Sequence, residues 1–164
     1  VVARGYKAMV VQPLTAEVVD DVFQLRLRLE PWAAELAAHH AAPRWISELE
    51  AVLRRAEEAT DEGDLPSASE ATREFHRMIY ARSGNALLVD MLDQLQDLMA
   101  FISVNLWKHR FARSDESSEH REITAALGTG DGKAVNACMT RHLKESQQRV
   151  ARMLAEKNVP ETAG

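Results

Sequence analysis

Three histidines each lie on an apolar stripe of a different predicted helix, where an imidazole is unusual. The apolar neighbours at helical spacing are Leu65 and Ile79 for His76, Ile123 and Leu127 for His120, and Val135, Cys138 and Met139 for His142. A buried imidazole needs a partner, and neutral imidazoles from facing helices are common ligands of zinc, nickel, iron and copper. The three histidines therefore predict either one metal site or three core side chains that are held by hydrogen bonds.

Arg26 interrupts the buried stripe of the first predicted helix, between Val22 and Leu29. A guanidinium keeps its charge, so a buried arginine needs an anion beside it. Glu30, one turn later, could be that anion, or the side chain could extend to the edge of the protein. The alternative is that Arg26 binds the carboxylate or phosphate group of a ligand. From the residues alone, both interpretations stay open.

The elements that would position these side chains are helices. Apolar residues recur at spacings of three and four, and only 7 glycines and 5 prolines interrupt the chain. This pattern predicts an all-α fold: an antiparallel bundle of six or seven helices with a central ligand cavity. Residues 1–13 are the exception, because they are β-prone and close at Pro13. They predict a strand and a linker that belong to an upstream domain.

Composition narrows the class of protein. With 164 residues, of which 46% are hydrophobic, the chain is long enough for one domain with a substantial core. The formal net charge of −5 disfavours direct binding of nucleic acid by this chain. A single cysteine, Cys138, excludes an internal disulfide and fits a reducing compartment. No signal peptide or membrane span is evident, so the expected location is the cytoplasm.

Four stretches of the chain together resemble a known family. They are "LRLRLEPWAAELAA" at 25–38, "FHRMIYARSGNALL" at 75–88, "SEHREITAALGTGD" at 118–131 and "HL" at 142–143. Their order and spacing are similar to the C-terminal ligand-binding domain of GntR-type bacterial transcription regulators of the FadR subfamily, over residues 14 to 155.

The resemblance implies a division of the chain and a set of partners. Residues 1–13 are similar to the last wing strand and the linker of an N-terminal winged helix-turn-helix, and residues 14–160 would be the helical effector-binding domain. In this family the domain binds a small carboxylate metabolite and usually forms a homodimer. Operator DNA is bound by the N-terminal domain, so this chain would not contact DNA itself.

The resemblance also implies a metal site. Many members hold a divalent metal with one aspartate and three histidines, and His76, His120 and His142 stand at the three histidine positions. Thr72 stands where the family has its aspartate, in "TREFH". We therefore expect a zinc or nickel site made by three imidazoles, with water or the effector completing the coordination. The expected effector-binding residues are Arg26, Thr72 and the three histidines.

Two other functions compete with this one. Three histidines with an open position also suit a catalytic zinc, so a metal-dependent hydrolase or lyase is one alternative. However, the sequence has no H-E-x-x-H motif, and Glu119 projects about 100° away from its neighbour His120 on a helix. The other alternative is a structural helical bundle that senses nothing. We expect a sensor domain that is not an enzyme.

Overall fold

The computed structural model describes residues 15–106 and 113–157, with side chains for 15–103 and 116–156. In this part of the chain every regular element is a helix. The six helices are α1 Ala16–Ala38, α2 Pro43–Asp61, α3 Leu65–Tyr80, α4 Ala86–Leu106, α5 Arg113–Thr129 and α6 Gly132–Lys157. The predicted all-α bundle is confirmed. The predicted wing strand and linker at 1–13 lie outside the described residues.

Local sequence explains where the helices begin. A side-chain oxygen accepts a hydrogen bond from the free backbone N–H groups of a helix's first turn. Thr15 does this for α1 and Asp64 for α3, and Asn85 and Asp131 do the same at the starts of α4 and α6. Three glycines with positive φ, namely Gly63, Gly84 and Gly130, follow helix ends, where that conformation favours glycine. The connections are therefore short, and successive helices fold back on one another.

Two groups of buried apolar residues form the core. One group joins the C-terminal half of α1 to α2, α3, α5 and α6, and includes Phe75 and Leu127. The other joins the N-terminal half of α1 to α4 and the end of α6, and includes Phe23 and Leu92. Helix α1 packs along α6, and α2 packs along α3. Burying one such phenylalanine or leucine side chain contributes about 1.5–3 kcal/mol to stability.

The interior also contains a set of polar side chains. Arg26, Glu30, His76, His120 and His142 are each at most 3% exposed. They come from α1, α3, α5 and α6, so four helices deliver polar groups to the interior. Burying so many polar groups is costly unless each one is paired or binds a ligand. No helix in the described part of the chain is long and apolar enough to cross a membrane.

Candidate metal and effector site

The three histidines predicted to share a site come together in the structure. His76 on α3, His120 on α5 and His142 on α6 each offer one ring nitrogen, and these nitrogens lie within 4.8 Å of one another. The ring centroids are 4.5 Å apart for His120 and His142, and 5.1 Å apart for His76 and His142. Each imidazole reaches the same point because it lies on the inward face of its own helix.

Two buried carboxylates orient two of the imidazoles. Glu30 Oε2 lies 2.9 Å from His76 Nδ1, and Glu119 Oε2 lies 2.7 Å from His142 Nδ1. An ionised carboxylate can only accept a hydrogen bond, so each Nδ1 carries the donated proton. Contacts of this kind fix the tautomer and ring orientation of metal-binding histidines. The arrangement directs the Nε2 atoms of His76 and His142 away from the carboxylates.

Each carboxylate is also held by an arginine. Arg26 Nε donates to Glu30 Oε1 at 2.5 Å. Arg149 binds Glu119 with both ends of its guanidinium, at 2.6 and 2.8 Å. The site therefore contains two Arg–Glu–His chains, Arg26–Glu30–His76 and Arg149–Glu119–His142. In each chain the arginine balances the charge of the carboxylate, and the carboxylate positions an imidazole.

The local environment keeps the carboxylates ionised. Burial alone raises the pKa of Glu30, but Arg26 and His76 outweigh burial and hold that pKa well below its ordinary value. Burial likewise raises the pKa of Glu119, and the hydrogen bonds from His142 and Arg149 reverse the shift and lower it. Both side chains are therefore anions near neutral pH.

The imidazoles respond to burial in the opposite direction. Burial lowers the pKa of His120 well below its ordinary value, and the charges of His142 and His76 lower it further. Burial also lowers the pKa of His142, against the opposing effect of its hydrogen bond to Glu119. His120 and His142 are therefore neutral at pH 7, which is the state that a metal requires of its imidazole ligands.

The separation of two nitrogens tests whether a metal fits. His142 Nε2 and His76 Nε2 are 3.3 Å apart. Two nitrogens bound to zinc at its usual distance and at the tetrahedral angle would be about 3.3–3.4 Å apart. His120 Nε2 is buried and has no hydrogen-bond partner among the described residues. The spacing of His76 and His142 therefore fits two ligands of one divalent metal, although one proton shared by the two imidazoles would also suit this distance.

A cavity with both polar and apolar side chains in its wall adjoins the histidines. Its volume is about 100 Å³, and its lining includes Arg26, Thr72 and all three histidines. The Nε2 atom of Gln96 and the Nε atom of Arg73, which also line it, are buried donors without a hydrogen-bond partner in the described residues. Such donors favour a ligand that carries acceptor oxygens. All six helices contribute residues to the lining.

The predicted site residues differ in how they are placed. Thr72 lies one turn before His76 and lines the cavity, as expected. Arg26 also lines it, but its Nε is bonded to Glu30, which was one of the two interpretations left open. The binding of an effector by Arg26 and Thr72 and of a metal by the histidines stays a prediction.

Sequence reasoning missed Glu119, Arg149 and Gln96. Glu119 was set aside because it projects away from its neighbour His120, yet its carboxylate binds His142 on the next helix. A signal was available, since Arg149 lies two helical turns after His142 and so shares its face. Which residue of α5 would meet that face depends on how α5 and α6 pack.

Comparison with known proteins agrees with this architecture. The FCD domain family matches residues 21–145. The HTH-type transcriptional regulator McbR of Escherichia coli (strain K12) is 24% identical over 135 residues, covering 78% of this chain and 59% of McbR. The chain spans about three fifths of the length of the relatives that it matches.

Solved structures show the same fold. E. coli McbR/YncC superposes with a TM-score of 0.80 at 22% identity, over 85% of this chain and 71% of that one. Streptococcus agalactiae GntR superposes with a TM-score of 0.71 at 29% identity, over 84% of this chain and 62% of that one. The metal-free FCD domain of TM0439 superposes with a TM-score of 0.70 at 14% identity, over 88% of this chain and 99% of that one. The chain belongs to the FCD domain family of GntR-type regulators.

Proposed function

We propose that this chain is the effector-sensing domain of a GntR/FadR-type DNA-binding transcription regulator, and that it is not an enzyme. The proposed sensing domain spans residues 14–160, and a winged helix-turn-helix domain is proposed to precede it in the regulator. That domain binds operator DNA in the cytoplasm. The match to McbR, named an HTH-type transcriptional regulator and longer than this chain, supports the proposal.

The sensor holds a divalent metal, zinc or nickel, with His76, His120 and His142. One observation carries this part of the proposal: two Nε2 atoms face each other at 3.3 Å while their Nδ1 atoms are committed to carboxylates. Two lone pairs at that distance repel unless a cation lies between them. A shared proton would satisfy two imidazoles, whereas a metal also satisfies the unpartnered Nε2 of His120.

The effector is a small carboxylate that occupies the adjoining cavity. A volume of about 100 Å³ suits a compound of a few heavy atoms. The unpaired donors of Gln96 and Arg73 can hydrogen-bond its oxygens, and the metal, when bound, supplies a positive charge for its carboxylate. Thr72 contributes a hydroxyl and Arg26 a guanidinium at the cavity wall.

Binding at this position connects four helices of the bundle. The histidines come from α3, α5 and α6, and Arg26 comes from α1, the helix next to the linker. A ligand that draws these helices together changes their packing and thereby the placement of the DNA-binding domains. A coupling free energy of about 1–3 kcal/mol is enough for a 5- to 150-fold change in operator affinity.

The two carboxylates that contact the imidazoles are not placed as catalytic bases. A hydrolytic zinc needs a base beside its bound water. Glu30 and Glu119 lie instead on the Nδ1 sides of their imidazoles and are paired with arginines. The geometry therefore suits a binding site better than a hydrolase.

We also propose that the domain forms a homodimer through α1 and α4. Among the described side chains of these two helices, five large apolar ones are exposed, namely Leu25, Trp32, Leu87, Met91 and Leu98. On α4 the spacings of four and seven residues place Leu87, Met91 and Leu98 within about 40° on one face. Exposed apolar stripes on two packed helices are typical of an interface.

Calorimetric titration with zinc and nickel tests the metal site. We expect one metal per chain, removal by a chelator, and an affinity at least tenfold weaker for His142→Ala. His39→Ala is the matched control, because His39 is exposed at the end of α1 and should leave the affinity unchanged. Equal binding by both variants, or none by the unaltered protein, would refute the metal site.

A further inference from the structure

A second cavity, the outer groove, lies between α2 and α5. Its volume is about 440 Å³, against about 100 Å³ for the central cavity that adjoins the histidines. All its described lining residues belong to these two helices. The wall includes Ile46 and Ala125, and a Cβ atom added at Gly128 would meet nothing within 4 Å. The outer groove therefore offers apolar surface and open space beside the domain core.

Two residues of α2 line both cavities. Leu53 and Glu57 border the central cavity on one side and the outer groove on the other. Because the same two side chains border both spaces, a single layer of side chains separates them. Leu53 is 5% exposed and belongs to the larger group of buried apolar residues. Its side chain is therefore the inner part of this layer.

An ion pair forms the outer part of the same layer. Arg121 on α5 donates two hydrogen bonds to the carboxylate of Glu57, at 2.9 and 2.6 Å. The side chain of Arg121 is 67% exposed and also lines the outer groove, whereas that of Glu57 is 23% exposed. An exposed pair of this kind adds little to stability. What it does is to hold the Glu57 side chain between the two cavities.

We propose that Leu53 and the Glu57–Arg121 pair limit the size of the effector, because they separate the central cavity from the outer groove. This inference rests on the proposed effector site. A carboxylate in the central cavity can extend towards the outer groove only as far as these side chains. Without them, its chain would continue into the outer groove and bury methylene groups against Ile46 and Ala125.

Straight-chain carboxylates from acetate to hexanoate measure this limit. Each is titrated by calorimetry into the 164-residue chain at pH 7, with the same zinc concentration in every sample. The affinity of the unaltered protein should not rise as the chain is lengthened. The affinity of Leu53→Ala should rise about two- to fourfold with each added methylene, which is the factor for a partly to fully buried CH₂ group.

Leu49→Ala is the matched control for the loss of a buried leucine. Leu49 lies one turn before Leu53 on α2, is fully buried and lines neither cavity. Both substitutions remove the same atoms from the core and lower the stability. Only Leu53→Ala should raise the ratio of hexanoate affinity to acetate affinity. An equal rise in both variants would show that a loosened core, and not the layer at Leu53, admits the longer chain.

Arg121→Ala opens the same layer without altering the core, so it decides the matter even if Leu53→Ala does not fold. Glu57 can then turn towards solvent, and the ratio of hexanoate to acetate affinity should rise by about threefold or more. The ratio cancels the effect that one lost positive charge has on every carboxylate. Arg141→Ala is the control, because Arg141 is exposed and pairs with Glu122 outside both cavities. It should leave the ratio unchanged.

The outcomes separate this inference from the proposed function. Acetate binding with a ratio that neither Leu53→Ala nor Arg121→Ala changes overturns the size limit and leaves the effector site intact. Hexanoate binding to the unaltered protein about tenfold more tightly than acetate also overturns it, because the longer chain would already be accommodated. Absence of carboxylate binding by every variant overturns the effector site and the size limit together. A crystal structure of Leu53→Ala in which the two cavities stay separate would contradict the inference directly.

Discussion

Arg26 stabilises the fold through Glu30, whatever it contributes to a ligand. Both side chains are buried, and their shortest contact is 2.5 Å. Arg26→Met would leave the carboxylate of Glu30 in the interior without its counter-ion, and breaking a buried pair in this way costs about 3–5 kcal/mol. We expect a loss of that size in the free energy of unfolding, measured with urea at pH 7.

Arg28→Met is the control for this substitution. Arg28 lies on the same helix but is exposed, so its removal should change stability by less than about 0.5 kcal/mol. Unchanged stability of Arg26→Met together with a lost response to ligand would contradict the structural role. It would show that Arg26 acts mainly on the effector.

Tyr80 gives a prediction with a defined pH dependence. Its hydroxyl donates to Asp93 Oδ1 at 2.5 Å, and Arg77 Nε donates to the same oxygen at 3.0 Å. Partial burial raises the pKa of Asp93, but these hydrogen bonds outweigh it and leave that pKa below its ordinary value. The ionised carboxylate therefore stabilises the fold above pH of about 4, and this contribution is lost as the pH falls through the lowered folded-state pKa.

Tyr80→Phe removes one of those hydrogen bonds. At pH 7 the free energy of unfolding should fall by about 0.5–1.5 kcal/mol, at the modest end because the carboxylate of Asp93 is partly exposed. The loss should shrink as the pH falls from about 4 through the lowered folded-state pKa of Asp93, because the carboxylate becomes protonated there. Urea unfolding at pH 7 and pH 3 measures this loss of stability. Equal losses at both pH values would contradict a stabilising hydrogen bond from Tyr80 to the ionised carboxylate of Asp93.

At the scale of elements, the start of α6 depends on a close approach to α1. A Cβ atom at Gly132 would lie 3.0 Å from Glu35 Cγ and 3.1 Å from the Glu35 carbonyl oxygen. The second contact involves backbone, which cannot move aside without shifting a helix. Gly132→Ala should therefore lower the free energy of unfolding by about 1–3 kcal/mol, measured by urea denaturation.

Gly128 provides the opposite case on α5. A Cβ atom there would meet nothing within 4 Å, and its φ is not positive. Gly128→Ala should stabilise the protein by about 0.5–1 kcal/mol, because alanine loses less backbone entropy in a helix. If Gly132→Ala and Gly128→Ala changed the free energy of unfolding in the same direction, the close packing of α1 and α6 would not be what distinguishes the two positions.

At the scale of the whole molecule, the exposed stripe of α4 predicts self-association. Leu87 is 76% exposed and Met91 is 50% exposed. Replacing both by glutamate should convert a dimer to a monomer in sedimentation velocity, because charges would be buried at the interface without partners. Ala51→Glu, at an exposed position of α2, should leave the assembly unchanged. A monomeric unaltered protein at high concentration would rule the dimer out.

Local sequence was sufficient to predict the helices of this protein. The spacing of apolar residues identifies each helix, and residues such as Thr15 and Asp131 mark the starts, because capping involves only neighbours in the chain. The same periodicity showed that His76, His120 and His142 face inward, since a residue's face on a helix follows from its position. The all-α architecture followed from these local patterns and is confirmed. The resemblance of four stretches of the chain to the ligand-binding domain of FadR-type regulators is confirmed by the match to the FCD family.

Only the tertiary structure decided which polar groups meet. The sequence left two possible partners for Arg26, namely Glu30 and the anionic group of a ligand. In the structure the carboxylate of Glu30 contacts both Arg26 and His76. Glu119 was not recognised, because its partners His142 and Arg149 lie 23 and 30 residues further along the chain. Contacts between helices depend on the rotation and offset of one helix against another, which the periodicity of a single helix does not determine.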